Sequence, residues 1–196
     1  MLLSDEQLIV ESGNGSLLAF ELLVQRWDKR MLNYFLRCVG NRDEAEDLRQ
    51  ELFLRIYNHR RSFAPGGSFQ AWLYRIATNL VIDKFARKRS PVMRPIDSND
   101  EENCERSLAA ADGLSRDEAS RREIGRRIEE ALDLLPGEMR IALVMRHFEN
   151  LSFKDIAEVL HLPESTIKTR VYRGLDAMRR ELKRLGVLEA DCFQTA

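Results

Sequence analysis

Residues 151–182 read LSFKDIAEVLHLPESTIKTRVYRGLDAMRREL, two helical apolar patterns separated by a break too short for a flexible loop. Ser152 is placed to cap the first pattern, with Asp155 three residues on in a variant of the capping box. Phe153, Ile156, Ala157 and Leu160 then recur at helical spacing and define one apolar face. The pattern breaks at His161, Leu162 and Pro163, because proline can open a helix but not continue one. Glu164 or Ser165 restarts it, with Ile167, Val171, Leu175 and Met178 facing inward. Two helices joined by so tight a turn make a helix-turn-helix.

The outer face of the second helix carries the chemistry. Ser165, Thr166, Lys168, Thr169, Arg170, Tyr172 and Arg173 all lie near its start. From 165 to 184 there are seven Lys/Arg against two Asp/Glu, a local charge of +5. Such a helix fits the major groove of DNA, its first turns reaching base edges and its cations reaching phosphates. A charged helix alone would suit the surface of any bundle. The tight turn, the polar first turns and the basic continuation together point to DNA.

Outward from this motif, 196 residues with 44% hydrophobic content suit one large or two small domains with real cores. No window approaches the roughly 18 consecutive apolar residues of a membrane span. The start, MLLSDEQL, lacks the basic flank and apolar run of a signal peptide, so a cytoplasmic protein without membrane insertion is expected. Cys38, Cys104 and Cys192 are odd in number and far apart, which predicts reduced thiols. His59, His147 and His161 are scattered, and neither a zinc pattern nor a phosphate loop nor a nucleophile elbow occurs. No metal, cofactor or catalytic site is expected.

A net charge of −1 suits a nucleic-acid binder poorly until its distribution is considered. Residues 1–96 carry 15 Lys/Arg and 11 Asp/Glu, residues 97–120 carry 2 and 8, and residues 121–196 carry 14 and 13. The middle stretch, DSNDEENCERSLAAADGLSRDE at 97–118, has little periodic apolar content and reads as an acidic flexible linker. It would join a helical domain at 1–96 to the helix-turn-helix domain at 119–196. Being flexible and acidic, it is also expected to lie across the basic faces and weaken duplex binding by the free chain.

In chain order, Ser4 with Gln7 forms a capping box for a short first helix ending near Gly13, and Ser16 starts the next. Phe20, Leu23, Val24, Trp27, Met31, Tyr34 and Phe35 give that helix an aromatic-rich face, and Gly40 ends it. Asn41, with Glu44 at the box position, caps a third helix whose buried stripe is Ala45, Leu48, Leu52 and Ile56. After the turn at Gly66, Ser68 caps FQAWLYRIATNLVIDKFARKR. There Phe69, Trp72, Leu73, Ile76, Ala77 and Leu80 form a stripe, and Arg75, Lys84, Arg87, Lys88 and Arg89 supply cations. Aromatics among cations are what single-stranded nucleic acid requires, although a buried stripe with a basic tail has the same spacing. The second domain opens with Ile124, Ile128, Ala131, Leu132 and Leu135 on one face, and Pro136 starts the helix before the helix-turn-helix. No strand alternation is visible, so the expected fold class is all-α: two small helical domains.

With these residues in place, the chain closely resembles a bacterial RNA polymerase sigma factor of the extracytoplasmic-function group. AFELLVQRW, NRDEAEDLRQELFLRIY, FQAWLYRIATNLVIDKFARKR and LPGEMRIALVMRHFENLSFKDIAEVLHLPESTIKTRVYRGL follow in the family's order and span about residues 4 to 186. The resemblance implies a factor that binds core RNA polymerase and promoter DNA, opens the minus-ten element with its first domain and reads the minus-thirty-five element with its second. It implies that Asp47, Arg49, Gln50, Glu51 and Arg55 grip the polymerase. Trp72, Tyr74, Arg75, Thr78, Asn79 and Asp83 match the stretch that engages the separated strand, with Asn79 at an unstacked base and Lys84, Arg87 and Lys88 on phosphate. Ser165, Thr166, Lys168, Thr169, Arg170, Tyr172 and Arg173 fall on the helix that reads the upstream element. An anti-sigma factor that holds the protein inactive is a further implied partner. His161 stands where the family often has glycine, a position that histidine tolerates better than most residues.

Two other classes compete. A stand-alone helix-turn-helix repressor or activator would use the first domain for ligand binding or dimerisation. A recombinase would need a nucleophile among arginines, which Tyr57 near Arg55, Arg60 and Arg61 approaches most nearly.

Overall fold

A computed structural model describes residues 3–64, 66–89 and 116–187. Among these, every regular element is helical. The first half holds α1 (Asp5–Gly13), α2 (Leu17–Val39), α3 (Arg42–His59), a 3-10 turn at Arg60–Ser62 and α4 (Phe69–Arg89). The second holds α5 (Arg116–Asp133), α6 (Gly137–His147), α7 (Phe153–Leu160) and α8 (Glu164–Arg184). Most of the acidic stretch at 97–118, Pro91, Pro95 and the tail from Glu189 lie outside the described residues. The last three residues of that stretch begin α5.

Local chemistry sets the helix ends. Two of the three predicted capping boxes are present: Ser4 with Gln7 opens α1, and Ser152 with Asp155 opens α7. Ser16, Asn41 and Ser68 accept from the backbone amides of Ala19, Glu44 and Ala71. The Glu44 side chain departs from the expected box and turns to Lys84 and Lys88 of α4 at 3.3 and 3.0 Å. His161 closes α7 in the left-handed region at φ 52°, as the sequence requires of a turn this tight.

Burial follows the predicted stripes closely. Leu23, Trp27, Met31, Tyr34 and Phe35 of α2 meet Leu48, Leu52 and Ile56 of α3 and Phe69, Leu73, Ala77 and Leu80 of α4 in one core. Ile167, Val171 and Met178 seat α8 on Ile141 to Met145 of α6 and on Ile156 and Val159 of α7. Leu175 is only half-buried. Ile124 departs further: it stands 46% exposed, and among the described side chains of α5 the buried ones are Ala131 and Leu132 near its end.

The two halves are packed together. α7 lies along α4, while α5 and α6 both meet α2. Gly40 ends α2 at φ 75°, and a Cβ built there would stand 2.5 Å from Asp133 Oδ1 of α5. Gly137, the first residue of α6, brings its backbone against the Phe85 ring of α4 so closely that a Cβ would sit 2.6 Å from Cε2. Arg140 of α6 is 8% exposed and donates to the Cys38 carbonyl at the end of α2 at 3.0 Å, as well as to the carbonyls of Asp133 and Leu135. A guanidinium at the last carbonyls of a helix complements the negative end of its dipole. Among the described residues no helix is long and apolar enough to cross a membrane.

Candidate nucleic-acid interface

The outer face of α8 is built as its sequence prescribes. Ile167, Val171 and Gly174 are buried underneath, and Ser165, Lys168, Thr169, Tyr172 and Arg173 are exposed above, with Thr166 and Arg170 at the margin. Lys168 Nζ pairs with Glu164 at 2.8 Å, which raises its pKa, and lies 5.7 Å from the centre of the Phe153 ring. Arg170 Nη2 reaches Glu138 of α6 at 2.5 Å. The Thr169 hydroxyl donates to the Ser165 carbonyl at 2.9 Å, so its methyl is the part offered outward. Tyr172 is 57% exposed and leans on Phe153. An open depression of ≈ 450 Å³ between α6 and α8 is lined by Glu138, Ser165, Thr169, Arg170 and Arg173. A phosphate arriving there meets the exposed Arg173 and Arg170, whose internal partner is the Glu138 carboxylate, so at Arg170 binding exchanges one oxyanion for another.

The second basic face runs along α4. Asn79, Asp83, Arg87 and Lys88 are exposed, and Lys84 is partly so. Lys84 and Lys88 share Glu44, which fixes them beside α3. Trp72 is half-buried, edge-on to Phe63 at 5.6 Å, and so combines a packed edge with an accessible one. Tyr74 and Thr78 lie inside, at 0% and 1% exposure, so in this closed arrangement neither presents a surface to a ligand. Thr78 shares a hydrogen bond with Tyr34 at 2.9 Å, and the Tyr74 ring packs edge-on against Trp27 and Tyr34. A mixed apolar and hydroxyl pair one turn apart reads equally as surface or core in sequence, and here packing took both.

On α3, Asp47 and Gln50 are exposed, and Glu51 pairs with Arg55 at 2.7 Å. Arg49 does not share that face: it reaches across to Asp28 of α2 at 2.6 Å and ties the two helices. Leu54, not singled out in sequence, falls on the same stripe as Asp47 and Gln50 and is 59% exposed. Its spacing from Gln50 was legible, and only its burial state was not.

Sequence reasoning also missed the groups that join the halves. Glu149, in the loop after α6, is 3% exposed. Its carboxylate accepts from Arg30 Nε at 2.8 Å and from the Tyr74 hydroxyl, and its carbonyl accepts from Arg30 Nη2 at 2.9 Å. Burial raises the Tyr74 pKa far above the ordinary phenol value, and the neighbouring Glu149 charge adds to it. A lone glutamate after Phe148 carries no periodic signal that could have marked it.

Fold and faces together define a helical protein with a helix-turn-helix and a separate basic helical face in its other half. Two family descriptions fit this layout: sigma-70 region 2 matches residues 23–90, and sigma-70 region 4 matches residues 125–178. The RNA polymerase sigma-H factor of Pseudomonas aeruginosa is 34% identical over 183 residues, covering 92% of this chain and 95% of that protein. The ECF RNA polymerase sigma factor SigW of Bacillus subtilis is 35% identical over 169 residues, covering 85% and 90%. The chain belongs to the extracytoplasmic-function group of RNA polymerase sigma factors. Solved structures agree on the fold: CnrH, in complex with the cytosolic domain of CnrY, superposes with TM-score 0.67 at 21% identity over 92% of this chain and 97% of its own. RpoE of Bartonella quintana, in complex with NepR, gives 0.61 at 19% identity over 84% and 96%.

Proposed function

We propose that this protein is a transcription initiation factor that binds core RNA polymerase, recognises the minus-thirty-five and minus-ten promoter elements and promotes strand opening. The observation that carries the reading is the pairing of sigma-70 regions 2 and 4, in that order, on one chain. A stand-alone helix-turn-helix regulator has no use for a first domain of that family. The factor binds and positions DNA and does no covalent chemistry of its own, and its place of action is the cytoplasm, where the polymerase works.

Roles follow from the faces. Lys168, Arg170 and Arg173, with Ser165, Thr166, Thr169 and Tyr172, engage the upstream duplex in its major groove. Asn79, Trp72 and Arg75, with Asp83, line the path of the separated strand, and Lys84, Arg87 and Lys88 hold its phosphates. Asp47, Gln50 and Glu51 present carboxylates and an amide to the polymerase; Arg49 and Arg55 brace them through ion pairs to Asp28 and Glu51. An anti-sigma factor is proposed as the protein that restrains this activity in the cell. Run-off transcription with core polymerase on a promoter library tests the whole reading. Promoter-specific transcripts that depend on the added chain support it, and their absence with an active core preparation overturns it.

A further inference from the structure

The face of α4 assigned to the separated strand is partly covered by the other half of the same molecule. α7 runs along it, and the loop before α7 drives Glu149 into the first domain. Two oxygens of Glu149, one carboxylate and one carbonyl, take both Arg30 contacts, and the carboxylate also takes the Tyr74 hydroxyl. Arg30 is itself held in place, its guanidinium 4.9 Å from the centre of the Trp27 ring and 5.8 Å from that of Tyr74. The next residue of α4 after Tyr74, Arg75, faces Glu158 of α7 at 3.7 Å. Two cations and a phenol of the first domain are thus met by acids of the second.

A nearly dry carboxylate survives only with its charge compensated and its lone pairs filled, and the Arg30 and Tyr74 pair supplies both. A phosphodiester oxygen makes the same demands on a guanidinium and a hydroxyl as a carboxylate does. We propose that Arg30 and Tyr74 form an anion site on the first domain, filled by Glu149 in the free chain and by a backbone phosphate of the separated promoter strand once the two halves part. This rests on the assignment of α4 to that strand. Glu149 is then a latch: nucleic acid cannot use the site until the second domain swings away, and polymerase, by holding the halves apart, opens it.

The test uses the full chain without polymerase and a short single-stranded DNA of mixed sequence, since phosphate contacts do not depend on sequence. Glu149→Gln keeps the shape and removes the charge. It is expected to enlarge the solution dimensions measured by small-angle X-ray scattering and to tighten oligonucleotide binding by roughly tenfold, since affinity scales with the open fraction. Adding Arg30→Met to that variant is expected to reverse most of the gain while the molecule stays expanded. Tyr74→Phe keeps the packed ring but removes the hydroxyl from both the latch and the site, so it is expected to enlarge the dimensions to a smaller extent without tightening binding, and its scattering serves if Glu149→Gln fails to fold by circular dichroism. Unchanged dimensions and affinity in Glu149→Gln, or unchanged dimensions in Tyr74→Phe in its place, overturn the latch. Equal binding by the single and double variants overturns the phosphate site. Run-off transcription by the wild-type chain is measured alongside, so failure of the latch is distinguished from failure of the sigma-factor reading.

Discussion

Lys168 and Arg173 stand one and a half turns apart on the outer face of α8, both exposed, over the buried Ile167 and Val171. Alanine at either is expected to lower discrimination between the cognate upstream element and scrambled DNA by about 1–3 kcal/mol, the range for a good base contact. Competition binding with polymerase present reads this directly, and unchanged discrimination in both variants would assign the wrong face. Asn79 is exposed on α4, where truncation leaves the core untouched. Asn79→Ala is therefore expected to assemble with core polymerase normally and to impair opening of the minus-ten region, seen as lost permanganate reactivity; normal strand opening would remove Asn79 from the melting face. Trp72 is a poorer probe, because its contact with Phe63 makes truncation a packing change as well. Cys38 is fully buried, and burial pushes its thiol up to about 12, leaving almost no thiolate at neutral pH. It should resist maleimide in the native chain and react only after unfolding, which mass mapping of labelled peptides checks.

At the scale of elements, α7 is the short helix on which α8 depends. With eight residues it is too short to persist alone, so its caps and packing hold it. The Ser152 hydroxyl accepts from the Asp155 amide at 3.1 Å, and Asp155 returns to the Ser152 amide at 3.0 Å. Ser152→Ala is expected to cost about 0.5–2 kcal/mol in urea unfolding. At the other end, His161 bears the left-handed backbone of the turn. His161→Gly relieves that conformation and is expected to raise stability by about 0.5–1 kcal/mol, whereas His161→Val, branched at Cβ, should lower it by more than about 1 kcal/mol. Opposite signs for these two variants mark strain in the turn, and equal effects would show that the side chain matters through its contacts.

The whole molecule is held by one continuous apolar cluster that runs from α1 to α8. Arg140 and Glu149 cross the junction between halves as buried charges: Arg140 adds the Cys38 carbonyl to its partners Asp133 and Leu135 in its own half, and the Glu149 carboxylate is met by Arg30 and Tyr74 of the other. Calorimetry of the free chain is accordingly expected to show a single cooperative transition; two separate transitions would mean that the halves unfold independently. From its charge alone, we propose the acidic stretch at 97–118 as a second route to masking. Neutralising Asp100, Glu101, Glu102 and Glu105 should strengthen duplex binding and steepen its salt dependence if that stretch screens α8, while Glu149→Gln acts on single strands. The two effects are separable by fluorescence anisotropy with duplex and single-stranded probes.

The order of residues alone made legible the helices, their caps, the buried stripes and the basic face of α8, because each rests on spacing within one helix or on contacts three or four residues apart. Ser152 with Asp155 and Ile167 with Val171 need no distant partner to be read. It determined the family too, through four motifs in order. Pairings between residues far apart in the chain emerged with the folded molecule: Glu149 with Arg30 across 119 positions, Arg140 with Cys38 across 102, and the fate of Tyr74 and Thr78. A hydroxyl or a carboxylate has no periodicity that announces a partner on another helix. Whether it ends in water or in the core depends on which face the second domain covers, and that is set by packing between halves.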